Sequence, residues 1–391
     1  MLYSHDALGL GHVRRMLAIA RAVLASRGNL SALLVTCSPL IGELPMPPGL
    51  DYVKLPSARK VGPGEYQART LGVEHARFRD LRAAVLRETC SAFSPQLLLV
   101  DKSPLGLMGE LTEPLAGLQG DGDARVVLGW RDILDAPRDV CAEWHRQGTL
   151  DVLERTYDEI WVYGDPDVFD VCEAYHIPPR IASRVHHLGY LAPCVTDQER
   201  ARTRAALQLN GAPLAVVTVG GGEGGEFVVE TYLEALRERR LPKDLRTVVL
   251  TGPFMTEPDQ RRFAGFAHPR TQITSFVAGL ESLIAAADVV VGRAGYNTVC
   301  EALGGGTPAV LVPRVLHRDE QRLRACRLAE LGLAEVVDEP SLTPHTLAGA
   351  VRRALARGRL PRPRIRLDGL AEVTRRVTRL LSREAEPVPA A

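Results

Sequence analysis

Short apolar runs rich in β-branched residues alternate with helical patterns along the whole chain, which is typical of βαβ units and parallel sheets. In the first half these runs are residues 32–35, 97–100, 126–128, 160–162 and 187–191. In the second half the rhythm restarts with residues 215–219, 248–251, 273–276, 289–291, 310–312 and 335–337. The pattern predicts an α/β protein with two consecutive doubly wound, Rossmann-like sheets.

The start of the chain predicts a short strand followed by a helix. The first apolar run, residues 2–4, is shorter than the usual strand of about 5–6 residues. This indicates either a start further upstream or an unusually short strand. The helix is predicted to open near Val13, with its apolar residues on one face and Arg14, Arg15 and Arg21 off that face. We expect most arginines of the chain to be structural or to face solvent.

The same pattern divides the chain into domains. A stretch with a proline and many charges separates the two halves and is typical of a hinge. A last amphipathic pattern near the C-terminus predicts a helix that could cross back to the first domain. The predicted divisions are an N-terminal domain at 1–191, a linker at 192–212, a C-terminal domain at 213–367, the last helix at 368–383 and a tail at 384–391.

Composition argues against several classes of protein but does not identify one. Lys and Arg total 48 against 47 for Asp and Glu, so no global field indicates nucleic acid as a partner. The seven cysteines are scattered without CxxC spacing, which argues against a disulfide framework or a zinc site and favours the cytoplasm. No apolar run approaches the ~20 residues of a membrane span. Peripheral contact with a membrane stays compatible with the sequence.

A glycine loop with a histidine follows the first predicted strand. Gly9, Gly11 and His12 lie where the chain turns into the first helix, whose free N–H groups attract anions. His12 would project into the crevice at the carboxyl end of the sheet, where ligands bind in open α/β folds. The alternative is a capping histidine in an ordinary turn. We expect an acceptor-side loop, with His12 as the catalytic base.

Asp101 ends the predicted strand at residues 97–100. From that position a carboxylate could orient His12, as in other His–Asp pairs. The alternative is a strand-end aspartate that caps a turn. The sequence leaves both open.

A second glycine loop follows the first strand of the second half. It holds five glycines in the six residues 220–225 and precedes a predicted helix. It is not a P-loop, because no Lys-Ser/Thr pair follows. We expect Gly221, Gly222 and Gly224 to cradle a phosphate, and the alternative is a flexible connection.

The most specific segment runs from Arg293 to Leu303. It reads as strand, glycine turn and helix, in which Gly295 would let the helix N-terminus face a diphosphate. Thr298 could donate a hydroxyl hydrogen to the same ligand, and Glu301 could accept both hydroxyls of a ribose.

This segment resembles the nucleotide-sugar signature of GT-B glycosyltransferases, and it is similar to the family of lipid II pathway N-acetylglucosaminyltransferases and their bacterial relatives. The resemblance implies two Rossmann-like domains facing a cleft. It implies that Glu301 holds the ribose and that Gly295 and Thr298 face the phosphates, with Arg293 among the donor-binding residues.

The resemblance extends to three further donor-binding residues. Asp319 and Gln321 match family positions that hold the donor sugar, and Val277 matches the turn whose backbone reads the base, with uracil favoured. Arg322 stands where the family has a second glutamine, so the sugar stays open.

The implied activity is inverting transfer of a sugar from a nucleotide diphosphate, without a metal or other cofactor, to an acceptor hydroxyl. The acceptor, whether small molecule, lipid-linked or glycan, is open. Two alternatives remain: a nucleotide-sugar 2-epimerase of the same fold and a non-catalytic nucleotide-sugar binding protein. Release of nucleoside diphosphate only when an acceptor is present would separate the transferase from both.

Overall fold

The computed structural model describes residues 1–6, 10–62, 65–121, 124–314, 318–361 and 363–382. The chain forms two compact units. The first consists of Met1–Pro166, Asp170–Tyr190 and the C-terminal stretch from Asp368, and the second of Asp167–Phe169 and Leu191–Leu367.

The first unit is built on a seven-stranded parallel sheet with the order β3-β2-β1-β6-β7-β8-β9, accompanied by an antiparallel hairpin of β4 and β5. Its strands are β1 (Leu2–Tyr3), β2 (Ala32–Thr36), β3 (Leu50–Lys54), β4 (Ala58–Gly62), β5 (Glu65–Ala68), β6 (Leu97–Asp101), β7 (Arg125–Arg131), β8 (Glu159–Tyr163) and β9 (Val185–His187). Its helices are α1 (Gly11–Ser26), α2 (His75–Phe93), α3 (Thr112–Asp121), α4 (Pro137–Gln147), α5 (Thr149–Thr156), α6 (Val171–Ala174) and α7 (Pro179–Ala182).

The second unit holds a six-stranded parallel sheet with the order β12-β11-β10-β13-β14-β15. Its strands are β10 (Leu214–Thr218), β11 (Arg246–Leu250), β12 (Thr271–Thr274), β13 (Val289–Gly292), β14 (Ala309–Leu311) and β15 (Ala334–Val336). Its helices are α8 (Asp197–Ala206), α9 (Glu226–Arg237), α10 (Glu257–Ala264), α11 (Leu280–Ala286), α12 (Tyr296–Gly305), α13 (Glu320–Glu330) and α14 (Pro344–Arg357). The central strands β10 and β13 are buried throughout, as expected for a parallel sheet covered on both faces.

The last helix, α15 (Gly369–Ser382), packs against α1 and β6 of the first unit. Arg376 and Arg379 on this helix donate to the two carboxylate oxygens of Glu159, at 2.9 Å and 2.7 Å. A Cβ at Gly369 would lie 2.5 Å from the carbonyl oxygen of Gly189, so only glycine fits where the helix begins. Within the described parts of the chain, no helix is both long and apolar enough to cross a membrane.

The prediction of an α/β protein with two doubly wound sheets is confirmed, and several local predictions need correction. The expected strand at 187–191 ends at His187, and the expected linker at 192–212 contains α8 and belongs to the second unit. Arg204 of helix α8 attaches this helix to the second unit, because it donates a hydrogen bond to Asp288, the residue before β13, at 3.0 Å. Strand β3 and the β4–β5 hairpin were not predicted, because their sequences mix charged residues with apolar ones.

Candidate functional site

The strand order of the first sheet reverses between β1 and β6, which are parallel neighbours. In open α/β sheets, ligands bind where the chain leaves such a pair of strands at their carboxyl ends. His12 lies in the first turn of α1, which follows β1, and Asp101 is the last residue of β6. The Nδ1 atom of His12 lies 2.5 Å from Oδ2 of Asp101. The structure therefore brings the two predicted catalytic residues together at the reversal point.

The protonation states in this pair follow from burial and charge. Although burial alone would raise the pKa of Asp101, the neighbouring Arg15 and His12 hold it well below its usual range. Burial lowers the pKa of His12 to about 4, an effect that outweighs the attraction of Asp101. Of the two groups within hydrogen-bond distance of Nδ1, ionised Asp101 is nearer, at 2.5 Å, than Arg15, at 2.9 Å, and a carboxylate only accepts hydrogen bonds. The hydrogen is therefore assigned to Nδ1 and the lone pair to Nε2, and Nδ1 does not accept from Arg15 in this tautomer. His12 is thus neutral at pH 7 and able to accept a proton.

Several groups around this pair were missed by the sequence interpretation. The ring of His5 lies 5.4 Å from that of His12, and Tyr66 of the hairpin lies edge-on to His5 at 6.3 Å. Asp6 caps α1 by accepting a hydrogen bond from the N–H of Val13 at 3.0 Å. These residues are brought here by chain turns and by the hairpin, so no spacing in the sequence indicates their proximity.

Arg15 corrects the expectation that the arginines of α1 lie off its buried face. Its Nη2 atom donates to Oδ1 of Asp101 at 2.6 Å, and its side chain is only 3% exposed. Arg15 follows His12 by three residues, which places both on one side of the helix. That spacing was the available signal, although the partner Asp101 is distant in sequence.

The remaining residues of the predicted acceptor loop are Gly9 and Gly11. Gly9 lies outside the described residues. Gly11 is the exposed first residue of α1, and a Cβ added there would meet nothing within 4 Å. The space beside this helix start is therefore open.

The second sheet reverses its strand order between β10 and β13. The glycine loop that contains Gly221, Gly222 and Gly224 follows β10, and Gly295 follows β13. The strands of this sheet are parallel, so the loops after them lie at the same edge. The predicted donor residues are therefore gathered at the ligand-binding edge of one sheet.

The shape of the glycine loop is set by close packing within the unit. Gly222 has a φ of +104°, and a Cβ there would lie 2.6 Å from the carbonyl oxygen of Thr251 and 2.8 Å from the N atom of Met255. Only glycine fits such a conformation and such contacts. The loop is consequently a close-packed turn, in contrast to the flexible connection that the sequence left open.

Arg293 contacts this loop, and its guanidinium forms hydrogen bonds and a stacking contact with other residues of the second unit. It donates to the carbonyl oxygen of Gly224 and to Glu339 at 3.0 Å, and it stacks over the ring of Phe227 at 4.3 Å. Its side chain is buried. These contacts indicate that Arg293 holds the glycine loop against the end of β13, and its role in donor binding stays a prediction.

Helix α12 presents the predicted ribose and phosphate residues. Gly295 is its N-cap residue, and no atom of the described residues lies within 4 Å of the place that a Cβ would take, which leaves room for an anion beside the helix N-terminus. Thr298 and Glu301 are buried on this helix, three residues apart and therefore on one side of it.

Asp319, Gln321 and Val277 follow other strands of the same sheet. Asp319 accepts from Arg322 at 2.8 Å, and the side-chain oxygen of Gln321 accepts from the backbone N–H of Arg314 at 3.1 Å. Val277 is half-buried in the loop after β12. Among the described residues, no cluster of three or more His, Cys, Asp or Glu side chains is arranged to hold a metal ion.

Comparison with known proteins agrees with this geometry. Residues 215–366 match the glycosyltransferase family 28 C-terminal domain. The matched residues lie within the second unit. The resemblance to GT-B glycosyltransferases inferred from the donor segment is thereby confirmed.

Two bacterial relatives extend the match. The chain is 32% identical over 212 residues to a UDP-N-acetylglucosamine–N-acetylmuramyl-(pentapeptide) pyrophosphoryl-undecaprenol N-acetylglucosamine transferase from Phenylobacterium zucineum, covering 51% of this chain and 53% of that one. It is 32% identical over 178 residues to the transferase of the same name from Salmonella typhi, covering 44% and 48%. The chain thus spans about half the length of these curated relatives.

Solved structures extend the likeness in fold beyond the family 28 domain. The calicheamicin glycosyltransferase CalG4 superposes with a TM-score of 0.59 at 17% identity, covering 98% of this chain and 99% of that one. MurG from Acinetobacter baumannii superposes with a TM-score of 0.57 at 16% identity, covering 97% and 98%. The chain has the GT-B fold.

Proposed function

We propose that this chain is an inverting glycosyltransferase that moves a sugar from a nucleotide diphosphate, with UDP-sugars favoured, to an acceptor hydroxyl. The observation that carries the proposal is the match of residues 215–366 to the family 28 domain. The residues of the first unit that support it are His12 and Asp101.

The donor is placed in the second unit. The open N-terminus of α12 at Gly295 and the glycine loop offer backbone N–H groups to a diphosphate. Glu301, in the second turn of α12, accepts the ribose hydroxyls, and Asp319 and Gln321 contact the sugar. The names of the curated relatives specify a UDP-sugar donor, which supports uridine as the nucleoside.

The first unit supplies the base. The acceptor hydroxyl attacks the anomeric carbon from the face opposite the diphosphate, a new C–O bond forms, and the bond from that carbon to the diphosphate oxygen breaks. Nε2 of His12 takes the hydroxyl proton, and Asp101 stabilises the resulting imidazolium through Nδ1. The leaving nucleoside diphosphate keeps the electron pair of the broken bond. Backbone N–H groups and the helix N-terminus stabilise its charge, so no metal is required in this scheme.

For the acceptor we propose only a chemical class. The names of the curated relatives describe a lipid-linked pyrophosphoryl acceptor, whereas CalG4 is named for a small molecule, calicheamicin. A lipid-linked acceptor is the first choice to test, because these relatives share more sequence with the chain than the structural neighbour does.

The function is tested on the full chain in two steps. A panel of UDP-, dTDP- and GDP-sugars is screened by thermal shift, since a ligand at 100 times its dissociation constant stabilises the folded state by about 2.7 kcal/mol. The stabilising donor is then incubated with lipid-linked and small-molecule acceptors, and nucleoside diphosphate release is measured. We expect release that depends on the acceptor. Donor binding without release for every acceptor would favour the binding protein, and conversion of the donor sugar without any acceptor would favour the epimerase.

Glu301→Ala is expected to weaken donor binding by about 1.5–3 kcal/mol, the usual contribution of hydrogen bonds to a charged group. Calorimetry with the donor chosen above measures the change, and Glu301→Gln is expected to recover part of the affinity. Glu330→Ala, which removes an exposed carboxylate paired with Arg327, is the matched control and should bind as the wild type does. Unchanged affinity in a correctly folded Glu301→Ala variant would remove Glu301 from the site.

A further inference from the structure

Arg15 is a buried arginine beside the proposed base. It lies one helical turn after His12 on α1, and its side chain is 3% exposed. The Nη2 atom lies 2.6 Å from Oδ1 of Asp101 and 2.9 Å from Nδ1 of His12. The two oxygens of Asp101 are thus divided between two side-chain donors, because Oδ2 accepts from His12 at 2.5 Å; the backbone N–H of His5 also donates to Oδ2, at 3.4 Å.

This division has two physical consequences. Two donors on opposite oxygens restrict rotation of the carboxylate, so the acceptor of the Nδ1–H hydrogen bond stays in place. A guanidinium beside the imidazole also disfavours a second positive charge on the ring. The first effect acts on His12 through Asp101, and the second acts directly, because Nη2 of Arg15 lies 2.9 Å from Nδ1 of His12.

We propose that Arg15 is a positioning residue of the transferase, holding Asp101 as a bridging carboxylate and keeping His12 in its neutral, Nδ1-protonated form. The inference rests on the proposed function for its catalytic part. The effect of Arg15 on the pKa of His12 does not depend on that function and can be measured without a substrate.

Other charged and titratable groups surround His12, Arg15 and Asp101 and also influence the pKa of His12. Those near the His12–Asp101 pair on other elements are His5, Asp6, Lys102 and Tyr163. Helix α15 packs against α1 with its charges already paired, Arg376 and Arg379 with Glu159, and Arg375 with Glu372. Removal of Arg15 therefore removes the positive charge that lies 2.9 Å from Nδ1 of His12 and leaves these pairs intact.

The test compares Arg15→Met and Arg15→Gln, both of which remove the charge, with Arg15→Lys, which keeps it. NMR of the imidazole signals of the full, histidine-labelled chain follows the titration of His12. The His12 signal is assigned as the one that is missing from the spectrum of the His12→Gln variant. Loss of a charge at this distance should raise the pKa of His12 by about 1–3 units from about 4. The acidic limb of the kcat/KM profile should move upward by the same amount, while the KM for the donor stays near the wild-type value.

Turnover at neutral pH should fall by roughly 10- to 100-fold in either neutral variant, because the base is misplaced and partly protonated. Arg15→Lys should leave the titration of His12 close to the wild type and recover part of the turnover. Arg21→Met removes an exposed arginine from the same helix and is the matched control, with no change expected in either readout.

The outcomes are distinguishable. A folded neutral variant in which the pKa of His12 and the acidic limb are both unchanged overturns the inference, and one folded variant of the two suffices for this. If the wild type transfers no sugar to any acceptor while the pKa of His12 still rises without Arg15, the proposed function fails and the control of His12 by Arg15 is upheld.

Discussion

Replacing His12 with alanine should lower turnover by about 10²–10⁴-fold, the usual contribution of general-base assistance. Donor affinity should be nearly unchanged, because the proposed donor residues belong to the second unit and His12 to the first. Steady-state kinetics with a saturating donor measures the first quantity, and calorimetry with the nucleotide sugar measures the second. In the wild type, activity should persist down to about pH 5, because burial places the pKa of His12 at about 4 and the base is neutral above that value.

The control for this prediction is His145→Ala, which removes an exposed histidine at the end of α4 and should retain full turnover. Asp101→Asn should also lower turnover, because an amide can present its N–H to Nδ1 and favour the wrong tautomer. Full turnover in the His12→Ala variant would show that this histidine is only a helix-start residue. The base would then have to be sought elsewhere, beginning with Asp101.

Replacing Arg82 with methionine should destabilise the first unit by about 3–5 kcal/mol, because the change leaves a buried carboxylate without its charge partner. Arg82 and Glu110 are almost fully buried, and Nη2 of Arg82 lies 2.6 Å from Oε1 of Glu110. Glu110 also accepts from the hydroxyl of Tyr3 at 2.8 Å, so the pair ties α2 to β1. Denaturant unfolding of the full chain, followed by a probe in the first unit, measures the loss.

Two further variants make the interpretation of Arg82→Met unambiguous. Arg87 lies on α2, as Arg82 does, and Arg87→Met breaks an exposed pair with Glu113 of α3, which should leave the unfolding transition almost unchanged. The double change Arg82→Met with Glu110→Leu removes both buried charges and should recover much of the stability. A single Arg82→Met variant as stable as the wild type would show that water or another group replaces the guanidinium at Glu110.

The alternation of strands and helices was largely readable from the sequence, and so was the edge of the sheet on which each candidate residue lies. In a parallel sheet every strand ends at the same edge, so residues that follow strands share that edge even when they are distant in the chain. This reasoning located Asp101 beside His12 and placed Gly222, Gly295 and Glu301 in one region of the second unit. Glycine excess in the loop after β10 indicated a constrained backbone, and the close approach of Gly222 to Thr251 supplies the reason.

The charged residues inside the fold were not readable in the same way. Arg15 was expected to lie off the apolar face of α1, and the sequence did not distinguish Arg82 and Arg324 from arginines that face solvent; all three are buried. Arg324 donates to the carbonyl oxygen of Ala294 at 2.8 Å and thereby supports the turn before α12. A charge is buried only when a partner offsets its desolvation, and such a partner can be distant in sequence.

The sequence by itself determined the fold class, the two parallel sheets and the loops that carry the candidate chemistry, because hydrophobic periodicity and glycine placement are local properties. Tertiary structure alone decided which further polar groups meet: Asp101 with Arg15, Glu110 with Arg82, and the glycine loop with Arg293. These contacts join residues separated by 28 to 86 positions. Their energies depend on burial and on the distance between two charges, and neither quantity exists until the chain has folded.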